Sequence, residues 1–485
     1  MKKLIFSAFA FTLVLAAWGQ PTLSTGEKID FKPGKNNYLR TYTSPEVNYL
    51  TVKSLNLGWQ YSAYAFEKNF MGFSEEKIEV QTNMQPKVIY NGEGFLPTIN
   101  GMYFLHTELD KNIKQVRGYV SKINKAGKLD AEKTAVGANY NYEKALKTGY
   151  INAGSSPDGK RVAIVETLPT VKDSGDKYIT TVYDENWKQL SQASIRVTDE
   201  DNYYSHRVSV NNNGEVYLTT WVLENSQNEK TRVTYFPTNN GTPKTNLITL
   251  EAPHKLRGSE TVFTPDGKFI IAGFYSDDKK VFTGEKKCNG AWFLQINNGE
   301  LGSIVLSAFD APLENAEVKS LLQNGDTYFL TGEKYKEIKG APKGPPGSAA
   351  QMDYTYTYLR GDIMVVGFTE TGEKKFSILA NKSNQTNDID LSNTFYPTIS
   401  GGKLVLFFND DLSKYVQTSE SYRKTSVVVT VTNDGLYEAP IRIVNKEKPK
   451  SYFAVLPGTG MPLEGNSAFF VGYENYEYYS MKVTW

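Results

Sequence analysis

The 485-residue sequence is poor in the residue types that build common reactive sites. It contains one cysteine, Cys288, and three histidines, His106, His206 and His254. A single cysteine excludes an intramolecular disulfide and any metal site built from several cysteines. No two histidines have the spacing of a pair of metal ligands. We therefore expect neither a metal centre nor a cofactor.

The sequence also lacks an excess of either charge. Lys and Arg together number 54 and Asp and Glu 53, so the formal net charge is +1. Nucleic-acid binding depends on clustered cations that neutralise phosphates, and this balance argues against a nucleic-acid partner. After the N-terminus there is no uncharged apolar run of 18 residues, so no membrane span is predicted.

The first 19 residues have the pattern of a signal peptide. Lys2 and Lys3 precede an uncharged run that ends at Trp18, and Gly19 offers a small residue for cleavage before Gln20. The alternative is an N-terminal membrane anchor, but the run is shorter than the roughly 20 residues that span a bilayer. We expect export to the periplasm or the outer-membrane periphery of a bacterial envelope, or to the outside of the cell.

What the sequence does have is a repeated turn. A short turn that contains a glycine is followed directly by a strongly apolar strand. Asp-Gly and Asn-Gly turns connect the strands of hairpins, so each repeat begins with a hairpin. The seven turns contain Gly101, Gly159, Gly214, Gly267, Gly325, Gly401 and Gly465.

Each repeat continues with further strand-like segments, and tyrosine and phenylalanine, both frequent in strands, are abundant. About four antiparallel strands in every 60 residues are typical of a β-propeller blade. We predict an all-β propeller of seven four-stranded blades over residues 70–485, preceded by an N-terminal segment, 20–69. The alternative is a pair of β-sandwiches, whose strands also recur at short intervals.

Two further features concern the edges of this propeller. Residues 340–350, GAPKGPPGSAA, account for the longest interval and predict an exposed loop inserted into the fifth blade. The last repeat is one strand short, and residues 70–80 have strand character. We therefore predict that a blade shared between the two ends of the chain closes the fold, with 70–80 as its N-terminal strand, because open edges promote aggregation.

Two of the turns share a longer motif. Ser156-Pro-Asp-Gly-Lys160 and Thr264-Pro-Asp-Gly-Lys268 each precede an apolar strand. This motif resembles the repeats of TolB-type propellers, while the other five turns depart from it. The resemblance implies a periplasmic, non-enzymatic propeller that binds other proteins of the envelope.

Few residues of the sequence fit a catalytic pattern. There is no Gly-x-Ser-x-Gly elbow. The carboxylate clusters at 199–201, 277–278, 388–390 and 410–411 have the context of solvated turns, although Asp388, Asp390 and Asn393 could offer oxygens to calcium. Arg360-Gly361-Asp362 lies between two strand-like segments and is interpreted as a hairpin turn, and Cys288 as a small strand residue.

Tyrosines are the remaining candidates for a binding site. Tyr354, Tyr356 and Tyr358 alternate with threonine, which places them on one face of a strand, and Tyr203 and Tyr204 precede another strand. Packing between blades would explain them. An exposed tyrosine patch would instead bind a protein partner, because tyrosine is enriched at protein interfaces, or would stack on a glycan.

The sequence thus predicts a secreted, non-catalytic propeller that serves as a protein-binding scaffold or accessory subunit in the cell envelope, for example in an outer-membrane transport or secretion complex. The alternative is a carbohydrate-binding or glycan-processing propeller that uses carboxylates and aromatics at its central opening.

Overall fold

The structure is a computed structural model, and it describes most of the chain after residue 19. The described residues are 20–29, 37–44, 47–55, 59–67, 73–78, 88–142, 149–168, 175–198, 202–224, 228–238, 241–277, 287–342, 354–382, 384–387, 393–417, 423–445, 447–448, 453–474 and 477–485.

These residues form strands almost throughout. In chain order, the first strands are β1 Thr22–Ile29, β2 Asn37–Thr43, β3 Val47–Leu55, β4 Trp59–Glu67, β5 Phe73–Ile78, β6 Val88–Thr98, β7 Gly101–Asp110, β8 Gln115–Ile123, β9 Leu129–Asn141, β10 Tyr150–Ser155, β11 Arg161–Thr167, β12 Asp176–Asp184 and β13 Gln189–Val197. The middle strands are β14 Asn202–Val210, β15 Val216–Glu224, β16 Asn228–Phe236, β17 Lys244–Ile248, β18 Lys255–Phe263, β19 Phe269–Ser276, β20 Lys287–Asn297, β21 Glu300–Leu301, β22 Val305–Glu314, β23 Ala316–Asn324 and β24 Thr327–Pro342. The last strands are β25 Tyr354–Phe368, β26 Lys374–Ala380, β27 Asn384–Asn387, β28 Phe395–Ser400, β29 Lys403–Asp411, β30 Lys424–Val431, β31 Ile441–Arg442, β32 Val444–Asn445, β33 Phe453–Leu463, β34 Ser467–Glu474 and β35 Glu477–Thr484, and a 3₁₀ helix spans Leu412–Lys414.

The strands form eight sheets, each a blade of a β-propeller. Blades 1 to 4 are antiparallel meanders of four consecutive strands, β2–β5, β6–β9, β10–β13 and β14–β17. Blade 5 contains β18–β22, blade 6 β23–β27 and blade 7 β28–β31. Blade 8 has the strand order β32-β1-β35-β34-β33. The all-β propeller is therefore confirmed, and the predicted count of seven blades is wrong by one.

The seven predicted turns are all present, and the missed blade is the one whose first turn has no glycine. The glycine joins the first and second strands in blades 2 to 7 and joins β33 to β34 in blade 8, and all seven have a positive φ, from 56° at Gly401 to 126° at Gly101. In blade 1 the Ser44 side chain closes the turn instead. Its hydroxyl donates to the carbonyl of Val47 over 2.8 Å and accepts the N–H of Val47 over 3.2 Å.

Blade 1 also corrects the predicted N-terminal boundary. Residues 73–78 form β5, which pairs with β4 from Tyr61–Ile78 to Phe66–Phe73. The predicted boundary at 69/70 therefore lies inside a blade, and the described part of the segment 70–80 is the outer strand of blade 1. It does not complete the last blade.

The strand that completes the last blade is β1. It pairs antiparallel with β35, from Thr22–Thr484 to Ile29–Tyr478, and parallel with β32 at Val444 and Asn445. A blade shared between the two ends of the chain is thus present, with Thr22–Ile29 as its N-terminal strand. Leu23 is buried in an apolar cluster with Phe470 and Met481 of this blade and Val405 of blade 7.

The chain divides into two compact units. The larger comprises residues 35–336 and 362–381, with blades 1 to 5 and most of blade 6. The smaller comprises residues 1–34, 337–361 and 382–485, with blades 7 and 8.

In the larger unit, neighbouring blades pack face to face through apolar side chains. The second strand of a blade is covered on both faces, and every residue of β19, FIIAGFYS, is buried. The outermost strand has one face against its neighbour, so β13 alternates between exposed and covered residues. Aromatic rings fill the interfaces; Tyr217 of blade 4 stacks on Phe269 of blade 5 at 4.3 Å between ring centres.

The predicted loop at 340–350 begins later than expected. The strand β24 continues through Gly340 and Ala341 to Pro342, and these first residues of the segment are therefore part of a ladder. The rest of the segment, 343–350, lies outside the described residues. The strands on either side of it, β24 and β25, belong to the sixth blade, because the count shifts by one.

Candidate functional site

Four turns of the larger unit form a continuous polar edge, and three of them fix their backbone in the same way. They connect the first and second strands of blades 2 to 5, at residues 98–101, 156–161, 211–215 and 264–268, and are here called the turn rim. In three of them the first side chain accepts an N–H from the far end of the turn. Ser156 Oγ accepts from Arg161 over 2.9 Å, Asn211 Oδ1 from Glu215 over 2.9 Å, and Thr264 Oγ1 from Lys268 over 2.8 Å.

Hydrogen bonds also join each turn of the rim to the next. The N–H of Ile99 donates to the carbonyl of Gly159 over 2.9 Å. The N–H of Asp158 donates to Asn212 Oδ1 over 3.2 Å, and Asn211 Nδ2 lies 3.5 Å from the carbonyl of Gly267. The turn rim is therefore one connected surface across four blades, and its shape is set before any ligand arrives.

A hollow of about 730 Å³ opens on this rim between blades 3, 4 and 5, and is here called the rim hollow. Its lining is polar, with amide, carboxylate and basic side chains and no aromatic ring. The lining residues are Arg161, Asn212, Asn213, Glu215, Thr238, Asp266, Gly267, Lys268, Asn297 and Asn298. Most ligand pockets for small molecules are lined by apolar and aromatic side chains, and the rim hollow differs from them in this respect.

A second hollow, of about 370 Å³, lies between blades 1 and 2. Lys122, Lys125 and Asp130 contribute charge to its lining, and Ile99, which is 43% exposed, contributes an apolar surface. Residues 99–101 of the turn rim line this second hollow, and the N–H of Ile99 bonds to blade 3. The rim thus presents concave polar surfaces along much of its length.

Two carboxylates of the turn rim, Asp158 and Asp266, are held in the ionised form. Burial raises the pKa of Asp158, but the Ser156 hydroxyl, the Lys160 N–H and nearby cations outweigh it, and the net effect lowers the pKa. Hydrogen bonds from Thr264 and Lys268 lower the pKa of Asp266. Such groups bind cations and N–H donors well and are poor proton donors at neutral pH.

Carboxyl groups with raised pKa values lie inside the blades. Burial raises the pKa of Glu166 to about 7, opposed by the N–H of Ala138, which donates to Glu166 Oε2 over 2.6 Å. Glu166 has no exposed surface. Burial likewise raises the pKa of Glu93, against the hydroxyl of Thr107 and the charge of Lys53. Glu166 therefore has a suitable pKa for acid–base chemistry but cannot touch a substrate in this conformation.

The predicted tyrosines do not form one site. Tyr356 and Tyr358 stack on β25 at 6.3 Å and 15° between their rings, and both are half-buried. They belong to the smaller unit. Tyr354 lies on the same strand, and its side chain is outside the described part. Tyr203 and Tyr204 lie on β14 in the larger unit, where their side chains are likewise not described.

The backbone at Tyr204 nevertheless has a feature that the sequence did not reveal. The register between β14 and β15 shifts between Tyr203 and Ser205, so Tyr204 is the extra residue of a β-bulge. The first strands of three other blades have a bulge as well, at Glu93, Gly258 and Lys319. Of these strands, β18 and β23 contact each other, and β6 and β14 each contact β10, the first strand of blade 3. Bulges redirect side chains, and period-two alternation gives no sign of them.

Several other predicted residues have structural surroundings. His106 and Cys288 are buried, and His206 stacks edge-on against Tyr178 inside the blades. Arg360 is 4% exposed in the middle of β25, so the predicted hairpin turn at Arg360-Gly361-Asp362 is wrong: the strand runs straight through it.

The carboxylate clusters, where described, are bound to other protein groups. Asp410 is buried and holds Lys414 Nζ at 2.8 Å and Tyr415 Oη at 2.9 Å. Asp277 lies 2.6 Å from His254 Nδ1. Asp388 and Asp390 lie outside the described residues. Within the described ranges, no three His, Cys, Asp or Glu side chains are grouped to hold a metal ion, and no helix is long and apolar enough to cross a membrane.

No family model and no curated protein matches the sequence. Among solved structures, the chain is similar to the β-propeller domain of the Trilobed protease from Pyrococcus furiosus, at 9% identity over 74% of this chain and 97% of that one, with a TM-score of 0.34. It is similar to the polysaccharide lyase Uly1 at 10% identity, covering 86% and 98% of the two chains, with a TM-score of 0.41. The WD40 domain of SCAP from fission yeast matches at 9% identity over 96% and 98%, with a TM-score of 0.39. At these identities the likeness concerns the propeller fold alone.

Proposed function

We propose that this chain is an exported, non-catalytic propeller that binds a protein partner on the turn rim. The observation that carries the proposal is the set of hydrogen bonds that join the rim turns of four successive blades, Ile99 to Gly159, Asp158 to Asn212 and Asn211 to Gly267. A preformed surface loses little conformational freedom when a partner docks, so more of the contact energy remains as affinity.

The chemistry of the rim supports binding rather than catalysis. Asp158 and Asp266 have lowered pKa values, so neither would donate a proton at neutral pH. Glu166, whose pKa is about 7, is fully buried. A general acid must reach the substrate and hold its proton near the working pH, and none of these three residues does both.

The charges of the rim support a protein as the partner. Arg161 and Lys268 stand beside Glu215 and Asp266 around one hollow, so the surface offers both signs within a short distance. Protein interfaces typically combine such hydrogen-bonding and charged groups, which fix the orientation of the partner. A polyanion or a membrane surface would favour a single excess of cations instead.

The compartment and the partner class rest on the sequence. Residues 1–19 have the pattern of a signal peptide. The two Ser/Thr-Pro-Asp-Gly-Lys motifs, which resemble TolB-type repeats, form two of the four rim turns. We accordingly propose an envelope protein as the partner, for example a subunit of an outer-membrane transport or secretion complex.

The test is a comparison of two lysine reversals. Lys268→Glu changes the turn rim, and Lys111→Glu changes an exposed lysine in the turn between β7 and β8, outside the rim. After mild crosslinking in cells, affinity purification of the unmodified chain should recover a stoichiometric envelope protein. Lys268→Glu should reduce that recovery at least about tenfold, a loss of about 1.4 kcal/mol, whereas Lys111→Glu should not.

Two results would contradict the proposal. Equal recovery with both variants would place the partner elsewhere on the molecule. Absence of any partner, together with retention of the chain on a glycan panel, would favour the carbohydrate-binding alternative. The amide side chains of the rim hollow could hydrogen-bond to sugar hydroxyls, but no aromatic ring lines the hollow for a sugar to stack on.

A further inference from the structure

The amide side chains of the rim hollow include two with no assigned role in the fold. Within the described part of the chain, no hydrogen bond involves the side chain of Asn213 or of Asn298, and both line the hollow. Asn212 uses its Oδ1 to accept the N–H of Asp158, which leaves its two N–H donors for other partners. These three residues come from blades 4 and 5.

The backbone holds both asparagines firmly. The N–H of Asn213 donates to Asn211 Oδ1 over 3.0 Å inside the rim turn. Asn298 has φ +49° and Gly299 φ +76°, the left-handed pair of a two-residue hairpin turn between β20 and β21. Asn246 Nδ2 of blade 4 donates to the carbonyl of Gly299 over 2.6 Å and ties that turn to its neighbour. The backbone that carries both exposed amides is therefore held in place from either side of the hollow.

Charged groups around these amides already have partners within the protein. Glu215 accepts from Asn211 Nδ2 and from the Tyr235 hydroxyl, each over 2.6 Å. Lys268 Nζ lies 3.1 Å from Asp266 Oδ2. The groups of the hollow that remain for a ligand are mainly uncharged amide N–H donors and C=O acceptors. They suit a ligand that also presents a donor beside an acceptor.

A polypeptide main chain presents that pair at every residue, one N–H and one C=O. We propose that the rim hollow binds an extended main-chain segment of a partner protein, whose peptide N–H and C=O groups hydrogen-bond to the side-chain amides of Asn213 and Asn298. This inference rests on the proposed function and specifies how the partner is held. Recognition through the main chain gives affinity with little dependence on the side chains of the bound segment.

The experiment uses a phage-displayed library of linear 12-residue peptides, selected on the full chain, and synthetic copies of the selected peptides. Asn213→Asp and Asn298→Asp keep the size of the side chain and tolerate the local backbone, but they lack the N–H donors. Asn112→Asp, on an exposed loop outside the rim, introduces the same charge and is the matched control. Thermal melts verify that all variants are folded.

The expected result is a loss of affinity of at least about tenfold in the double variant, and no more than about twofold in the control. Methylation of single main-chain nitrogens in the bound peptide removes an N–H without changing its sequence, and should reduce the affinity comparably at one or two positions. A substituted peptide side chain should matter less than a methylated nitrogen.

The inference is overturned if the selected peptides bind the double variant as tightly as the unmodified chain, if nitrogen methylation has no effect at any position, or if the selection yields no binder. It is also overturned if a glycan binds and the double variant abolishes that binding. If Lys268→Glu still removes a crosslinked partner while the asparagine variants change nothing, the proposed function stands and only this inference falls.

Discussion

The ammonium nitrogen of Lys28 lies 2.6 Å from a carboxylate oxygen of Glu477, a residue 449 positions later in the chain. Both side chains are about half exposed, so the ion pair itself adds little stability. The pair marks the place where the first strand of the chain joins the last. The stability of that joint comes from the apolar residues beneath it, with Leu23 and Met481 both buried.

Truncation of Leu23 therefore tests the shared blade. Leu23→Ala removes a buried side chain from the core of blade 8 and should lower the free energy of unfolding by about 2–5 kcal/mol. Ser24→Ala, at the exposed neighbouring position of the same strand, should change it by less than about 0.5 kcal/mol. Denaturant unfolding of both variants provides the measurement. Equal stability of the two would mean that β1 does not occupy the blade.

The glycine turns explain why most of the fold could be predicted and one blade could not. Asp-Gly and Asn-Gly identify a hairpin because few other residues adopt a positive φ, and all seven predicted turns are present. The blade 1 turn is closed by the Ser44 hydroxyl instead of a glycine. Serine is too common in turns and strands to indicate a turn on its own. The missed blade then shifted the predicted closing strand from Thr22–Ile29 to residues 70–80.

A pair of glycines tests how tightly successive blades pack. A Cβ at Gly154, in the first strand of blade 3, would lie 2.4 Å from the carbonyl oxygen of Val208 in blade 4. Gly154→Ala should therefore force the two blades apart and cost about 1–3 kcal/mol. A Cβ at Gly94, in the first strand of blade 2, would meet nothing within 4 Å, so Gly94→Ala is the matched control. A thermal melt in which both variants match the unmodified chain would contradict this packing.

The buried carboxyl of Glu166 predicts a dependence of stability on pH. Its pKa in the folded protein, about 7, is above the ordinary value of 4.5, so the folded state binds more protons than the unfolded state between those pH values. The stability due to this group is present below pH 4.5 and is lost as the pH rises to 7. Above pH 7 the ionised group costs about 3 kcal/mol relative to a neutral one.

The variant Glu166→Gln measures this cost, since its amide oxygen can still accept the N–H of Ala138. We expect it to be more stable than the unmodified chain at pH 8 by up to about 3 kcal/mol, with the difference shrinking towards pH 4.5. Glu132→Gln, at an exposed position, is the control. A difference that is the same at every pH would show that Glu166 does not titrate in this range.

The candidate site was only half visible in the sequence. The Ser/Thr-Pro-Asp-Gly-Lys motifs at 156–160 and 264–268 identified two rim turns, because each motif closes on its own hydroxyl. The rim hollow could not be predicted, since Asn213 and Asn298 belong to turns in different blades, which only the packing of the blades brings together. The tyrosines of β25 had a clear period-two pattern, and that pattern shows which residues share a face without showing whether the face is covered.

The most direct test of the binding surface is hydrogen–deuterium exchange of the full chain with and without its crosslink-identified partner. Because the turn rim forms the proposed contact, binding should slow exchange in peptides that cover residues 98–101, 156–161, 211–215 and 264–268, while peptides covering 354–361 exchange at an unchanged rate. If exchange is slowed only in peptides that cover residues 354–361 and is unchanged in the four rim turns, the turn rim is not the contact surface. The binding site would then lie at the tyrosines of β25.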